Sequence, residues 1–332
     1  MTVLNFTKQD DIEITSKKDI TKLIKEFEPK LREVFLTTML FVRDQFTIAE
    51  LATMFEQGTI ESALNDLEQQ FNVFSNEALA AYIASGNMTA GKISTALNQL
   101  VGFDVINQRA VNNIQNNAFG LIQQFSDEQR RATRAALLDG VTRGINPREQ
   151  AINFKQSIGL TTKQVDAVNN FRRLLTQNSA EALTRNLRDK RFDASIRNAI
   201  STDTPLTSAQ IDKMVERYRQ KYLIYRSEVI ARTESLRAVH EGSYEMFNQA
   251  VEAGTLLAEQ LTQQWNIAND SKVRNPSHTT MRNQQRPFGE PFLSGNGNLL
   301  RYPGDPRAPA NDVVQCRCAV STRYTAILAE AA

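Results

Sequence analysis

Residues 207–247 read TSAQIDKMVERYRQKYLIYRSEVIARTESLRAVHEGSYEMF, and this stretch decides the class of fold. Thr207 followed three residues later by Gln210 forms a capping box, in which each side chain satisfies the other residue's free backbone N–H at a helix start. From there Ile211, Met214, Val215, Tyr218 and Tyr222 recur at the helical period. The pattern continues through Val229, Leu236, Val239 and Phe247 toward Gly254, so one very long helix or two in series spans 208–253. Glu228 with Arg232, and Glu234 with Arg237, stand four and three residues apart, where a helix brings opposite charges together. His240 shares the apolar side with Leu236 and Tyr244 and reads as a hydrogen-bonded packing residue rather than a ligand.

Upstream, three more helix starts carry the same signature: Ser126 with Gln129, Asn146 with Glu149, and Thr161 with Gln164. Pro147 falls in the first turn, where its missing N–H costs nothing. Val165, Val168, Phe171, Leu174 and Leu175 then line one face. Before residue 125 the chain is rich in Gln, Asn, Ala and Leu and holds a single proline, which favours helices over sheet. Pro29 is expected near a helix start, with Leu31, Val34, Phe35 and Thr38 following the period, and Ile106, Ala110, Val111 and Ile114 forming a later stripe.

Beyond Gly254 the character changes: six of the nine prolines and four of the fourteen glycines fall between Pro276 and Pro309. Gln263, Trp265 and Ile267 alternate with Gln264 and Asn266, while Cys316, Cys318 and Val320 alternate with Arg317 and Ala319, so both runs predict strands. The expected fold is mostly α with a small α+β C-terminal module: elongated helical N-terminal and middle regions, then a loop-rich, β-containing tail. The expected divisions are 1–125 (helical), 126–225 (basic helical), 226–325 (α+β module) and 326–332 (tail).

Composition narrows the function classes. The longest nearly apolar run, Val34 to Val42, is far shorter than the roughly 18 residues a membrane span requires, so no membrane association is expected. The first thirty residues mix Lys with Asp and Glu, unlike a secretory signal. A cytoplasmic origin follows. The two cysteines, Cys316 and Cys318, are too close in sequence for an unstrained mutual disulfide. Net charge is +2, but residues 1–70 hold eight Lys or Arg against thirteen Asp or Glu, and residues 126–237 hold twenty-one against thirteen. Such a basic middle is either a solvated helical surface or one that meets a nucleic-acid backbone or an acidic protein face, with Arg130, Arg131, Arg134, Arg172, Arg173, Arg188 and Arg191 as the candidate phosphate contacts.

The last third carries an ordered set: Ile230-Ala231-Arg232-Thr233-Glu234, Gly254, Trp265, Asp270, Val273-Arg274, Pro276-Ser277-His278, Tyr302-Pro303-Gly304-Asp305-Pro306 and Cys316-Arg317-Cys318. This set resembles the Mu F-like domain of tailed-phage minor head proteins, and with the Gly159-to-Gln164 stretch the resemblance covers roughly residues 130–320. The family pattern typically runs Arg-Pro-Ser-His, whereas Asn275 here separates Arg274 from Pro276. Where the family follows the histidine with Asp-Gly, this chain has Arg282-Asn283, and Gln315 replaces the Asn that commonly precedes Cys-x-Cys. Asn is the next best residue after Gly for a left-handed turn, so that turn is expected to persist. The resemblance implies a minor capsid or head morphogenesis protein, in the virion and in host cytoplasm during assembly. Its implied partners are the portal protein, capsid or scaffolding protein and packaged double-stranded DNA, with a role in DNA packaging, delivery or ejection and homo-oligomerisation left open.

Individual residues have physical readings of their own. Trp265, the one tryptophan, is expected to anchor the small sheet, its indole N–H needing a partner. The Tyr302-to-Pro306 run predicts a rigid exposed loop, suited to docking or to closing the fold. His278, Cys316 and Cys318 are possible zinc ligands, with His240 or Asp305 as the fourth. Four ligands and a wider cysteine gap are usual in structural zinc sites, so reduced thiols packed as small hydrophobes are the commoner outcome. Gly295-Asn296-Gly297 lacks the strand and helix context of a nucleotide loop. The chain is therefore expected not to be an enzyme and to need no cofactor. The alternative reading is a metal-dependent virion enzyme or an ejected internal protein acting on DNA.

Overall fold

The computed structural model describes residues 10–326 except 64, 66–71, 116–126, 129 and 132–143. Ser126 and Gln129 of the first expected capping box, Arg134, and all but the first residue of the 326–332 tail lie outside the described residues. The chain is largely helical with a small sheet-containing module near the C-terminus, as the sequence predicts. Among the described helices none is long and apolar enough to cross a membrane.

The chain forms two compact units: residues 1–32, 74–118 and 229–332 in one, and residues 33–73 and 119–228 in the other. Two helices run through both. Lys17–Gln45 is one helix with Pro29 in its interior, where a start was expected. The start lies at Ser16, which shares reciprocal hydrogen bonds with Asp19, and Pro29 is solvent-exposed while Ile20, Phe27, Leu31, Phe35, Met39 and Val42 are buried along the helix. Burial of that stripe outweighs the one backbone bond that proline removes. Ser208–Glu252 is likewise a single helix, capped by the expected Thr207 and Gln210 pair.

In the second unit, Thr161 and Gln164 form the predicted reciprocal cap on Thr162–Thr176, and Asn146 caps Pro147–Ser157. Val168, Phe171, Leu174 and Leu175 are buried, and the Phe171 ring lies 4.3 Å from that of Tyr218. The left-handed turn at Gly159 (φ 82°) favours glycine by its backbone conformation, and a Cβ there would also crowd the Leu223 and Met39 side chains, at 2.7 and 3.0 Å.

In the first unit the long helix lies against a four-stranded antiparallel sheet. Its strands are β1 (Asp10–Thr15), β2 (Leu261–Asn266), β3 (Gln285–Pro287) and, with the two-stranded pair β4 (Phe292–Leu293) and β5 (Leu299–Leu300) intervening in sequence, β6 (Ala319–Ala326). The spatial order is β1-β6-β2-β3. β2 alternates as predicted, with Gln263 and Trp265 inward. β1 departs from the all-helical reading of the N-terminal region: Ile14, on its buried face, shares an apolar cluster with Phe247, Leu261 and Tyr324. The second expected strand is also corrected, since its ladder begins at Ala319 and not at Cys316. Gln315 takes a left-handed conformation (φ 56°) and Cys316 N–H closes a turn onto Val313 O, so the two cysteines precede the strand on a tight bend.

A neighbouring helix, Asn72–Leu97, crosses the long helix at very close range. Ser85 Oγ donates to Val239 O at 2.6 Å, Thr89 Oγ1 and Ser243 Oγ are 2.9 Å apart, and a Cβ on Gly242 would stand 2.1 Å from Tyr82 O. Small side chains at this crossing let the backbones approach.

Candidate metal centre

Three segments of the first unit deliver the site. His278 sits at the end of a turn in which its N–H and that of Thr279 both donate to Arg274 O. Cys316 and Cys318 follow the short helix Ala310–Val313, and Thr233 Oγ1 on the long helix accepts from Gln315 N at 3.0 Å, fixing the bend before them. Arg274 donates to Val314 O, tying the histidine turn to the cysteine segment.

The side chains converge. His278 Nδ1 lies 3.5 Å from Cys316 Sγ and 3.4 Å from Cys318 Sγ, and all three ligand atoms fall within 4.8 Å of one another. Tetrahedral zinc, with bonds near 2.3 Å to sulfur and 2.1 Å to nitrogen, places such donors about 3.6 Å apart. The observed spacing therefore suits one ion between them. All three residues are buried, inside an apolar cluster with Trp265, Met281, Phe292, Tyr302 and Val313. Trp265 meets His278 edge-on at 5.8 Å and Phe292 at 5.2 Å.

Thiolate is the ligand form, and the surroundings favour one thiolate already. A hydrogen bond from Cys316, and then the neighbouring His278, pull the Cys318 thiol below its ordinary range against the cost of burial. Burial together with its partnered sulfur drives the Cys316 thiol well above its ordinary range. The core role expected of Trp265 holds, yet its Nε1 and His278 Nε2 are buried without a hydrogen-bond partner of normal geometry.

Neither proposed fourth ligand joins the cluster. His240 Nδ1 meets Leu236 O at 2.8 Å and its Nε2 accepts from Val320 N at 3.2 Å, so both nitrogens are used and burial holds the ring neutral, with a pKa of about 4. His240 is thus the packing residue the sequence predicted. Asp305 is committed to Arg301 through two oxygens, at 3.0 and 2.8 Å, and accepts from Arg307 N. The expectation that the chain is not an enzyme is corrected here: three buried soft donors converge as an arrangement able to hold a metal ion and to support metal-dependent chemistry. Structural zinc sites take four protein ligands, whereas three protein ligands with one open position is the catalytic pattern.

The remaining motif residues have structural positions. Arg237 pairs with Glu234 at 3.0 Å as predicted and donates to Gly304 O at 3.2 Å. Burial raises the Glu234 carboxyl. Arg232 pairs with Glu28 at 2.6 Å rather than with the residue four positions before it. Asp270 holds Arg317 at 2.5 Å, beside the cysteines. Tyr302, Pro303, Gly304 and Asp305 are buried, so of the two readings this run closes the fold and is not an exposed docking loop. Asn283 adopts the left-handed turn expected of it (φ 57°).

The basic candidates lie apart from this site in sequence, and most already face carboxylates. Arg172 reaches Asp212 at 2.6 Å, Arg188 reaches Asp193 at 2.9 Å and Arg191 reaches Asp189 at 2.6 Å, while Arg130 bonds Glu61 and Asn65. Arg173 bonds Asn170 and Gln177, and Arg131 is exposed. No family model, no curated protein and no solved structure matches the chain.

Proposed function

We propose that this chain is a metal-dependent protein whose C-terminal module holds one zinc-class ion through His278 Nδ1 and the thiolates of Cys316 and Cys318. The observation that carries this reading is the convergence of three buried soft donors at 3.4–3.5 Å N···S spacing. Thiolate with imidazole selects zinc over magnesium or calcium, which prefer oxygen. With three protein ligands the fourth position is left to water or a substrate atom, where the ion would lower the pKa of a bound water or polarise a carbonyl or phosphoryl oxygen. The chain's own residues supply the rest: two thiolates that neutralise a dication, and apolar walls from Trp265 and Phe292 that keep the local dielectric low. By its resemblance to Mu F-like minor head proteins, the setting is the virion of a tailed phage, with DNA or another polymer delivered with it as the substrate.

Metal analysis of the purified chain tests this. One equivalent of zinc is expected in the wild type, with loss in Cys316→Ser and His278→Ala while the fold remains. A metal-free wild type that takes up neither zinc nor cobalt refutes it.

A second reading, a portal- or inner-capsid-associated assembly protein aiding head morphogenesis and DNA packaging, is favoured by a different observation. The Arg-Thr-Glu helix, the tryptophan strand and the Cys-x-Cys bend, far apart in sequence, pack as one unit through Thr233, Leu236 and His240. Localising the protein in intact particles tests it: a few copies at one vertex support the reading, and symmetric distribution over the shell removes it.

A further inference from the structure

Outside the ligand cluster, the most unusual group in the module is Asp312. Its carboxylate is fully buried, and its four hydrogen-bond donors are all neutral: Ser277 Oγ at 2.5 Å, Ser294 Oγ at 3.0 Å, Asn296 Nδ2 at 3.0 Å and Asn298 Nδ2 at 2.7 Å. Burying a charge is costly unless it is fully satisfied, so a hub of this kind fixes whatever it bonds. What it bonds is informative. Ser277 immediately precedes His278, and Asp312 itself lies four residues before Cys316 on the short helix whose Val313 O accepts Cys316 N–H. The third segment, Gly295-Asn296-Gly297, folds back on the same point: Gly295 N–H donates to Ser277 O at 2.8 Å, and a Cβ there would stand 2.5 Å from Pro276 O. Gly295 therefore serves a close approach to the histidine turn and Gly297 a left-handed conformation (φ 81°), at a stretch where the sequence offered no role for them.

We infer that Asp312 is a positioning residue for the metal centre, which sets the distance between the histidine half and the cysteine half of the ligand set before any ion arrives. This rests on the metal-binding reading above. A site held at coordination spacing by its surroundings binds without reorganising the ligands, and loss of such outer partners typically costs 10–100-fold in metal affinity. Ser277 is the direct link, because its hydroxyl joins the carboxylate to the residue beside His278. Asn296 bonds the same carboxylate from the exposed loop and reaches no ligand-bearing residue by its side chain.

The test uses the full chain, with Co(II) as a spectroscopic probe and zinc affinity read by competition with a chromophoric chelator. Ser277→Ala is expected to weaken zinc binding 10–100-fold and to alter the thiolate-to-cobalt and d–d bands, with Ser277→Thr restoring both. Asn296→Ala, which deletes one hydrogen bond to the same carboxylate, is expected to stay within about threefold of wild type. Equal effects of Ser277→Ala and Asn296→Ala, or wild-type affinity and cobalt spectrum in Ser277→Ala, overturn the positioning role while leaving metal binding intact. A wild type that binds no metal overturns the underlying reading and the inference with it, so the two failures are distinct.

Discussion

Replacing Gly242 by alanine puts the helix crossing to a test whose sign is not the usual one. In a helix interior, Gly→Ala normally stabilises by about 1 kcal/mol. Here the added Cβ would stand 2.1 Å from Tyr82 O, more than an ångström inside the roughly 3.3 Å at which a carbon and an oxygen rest. The obstruction is backbone, so the helices must separate. Moving them about 1 Å apart lengthens the Ser85–Val239 (2.6 Å) and Thr89–Ser243 (2.9 Å) hydrogen bonds to or beyond the limit of a useful bond. Two buried bonds at about 1 kcal/mol each, plus about 1–3 kcal/mol for overpacking, less the propensity gain, leave a net loss of about 2–4 kcal/mol. Trp265 is the single tryptophan and belongs to the same unit, so urea unfolding followed by its fluorescence reports this unit alone. The midpoint is expected to fall by roughly 1–2 M at a urea slope of about 2 kcal/mol/M. Gly91, on the neighbouring helix with no atom within 4 Å of a built Cβ, is the control: Gly91→Ala is expected to raise the midpoint. A Gly242→Ala midpoint at or above wild type would refute the close crossing and the reasoning built on it.

Three further outcomes are expected. Zinc addition near neutral pH should release protons, because burial holds the Cys316 thiol protonated and ligation removes that proton; pH-stat titration measures it, and zinc uptake with no proton release would refute ligation through Cys316. His240 has a folded pKa near 4, below the unfolded 6.5, so the unfolded chain binds the extra proton between those values; stability from this group is complete above about pH 6.5 and falls by roughly 3 kcal/mol as pH drops to 4. His240→Gln should flatten that part of a pH–stability curve, and an unchanged slope would show that the ring does not titrate there. Gln315→Asn should raise stability by up to about 1 kcal/mol, since the position is left-handed and exposed and Asn tolerates that conformation better, a difference that a thermal melt resolves.

The parts of the fold that were legible in the sequence are those governed by local rules. Capping pairs at Thr161 and Thr207, the apolar stripe through Phe171 and the alternation around Trp265 depend on residues within a few positions, and each appears where the pattern places it. What was not legible depends on tertiary partners. Pro29 reads as a boundary because the lost hydrogen bond is local, while the burial of Leu31 and Phe35 that keeps the helix continuous is not. β1 hides among helix-rich sequence because its strand character comes from pairing with β6, some three hundred residues away. Arg232 finds Glu28 for the same reason. At the site, His278 and the two cysteines were identifiable as candidates, but spacing along the chain could not reveal that a bend at Gln315 and a turn at Arg274 aim them at one point. Asp312 gave no signal, since a lone aspartate in a loop-rich tail is ordinarily a solvated charge.

The place of β6 inside the sheet, flanked by β1 on one side and β2 on the other, has a consequence for how a nascent chain acquires this module. Residues 319–326 are synthesised after the other described strands, yet they occupy an inner position to which both neighbours bond, so until they leave the ribosome β1 lacks its described partner and β2 lacks one edge. The two thiols emerge just ahead of them. The two ends of the module thus depend on one late segment: a chain truncated before residue 316 would hold a tryptophan strand and a histidine turn with neither the inner strand nor the two thiols to complete them.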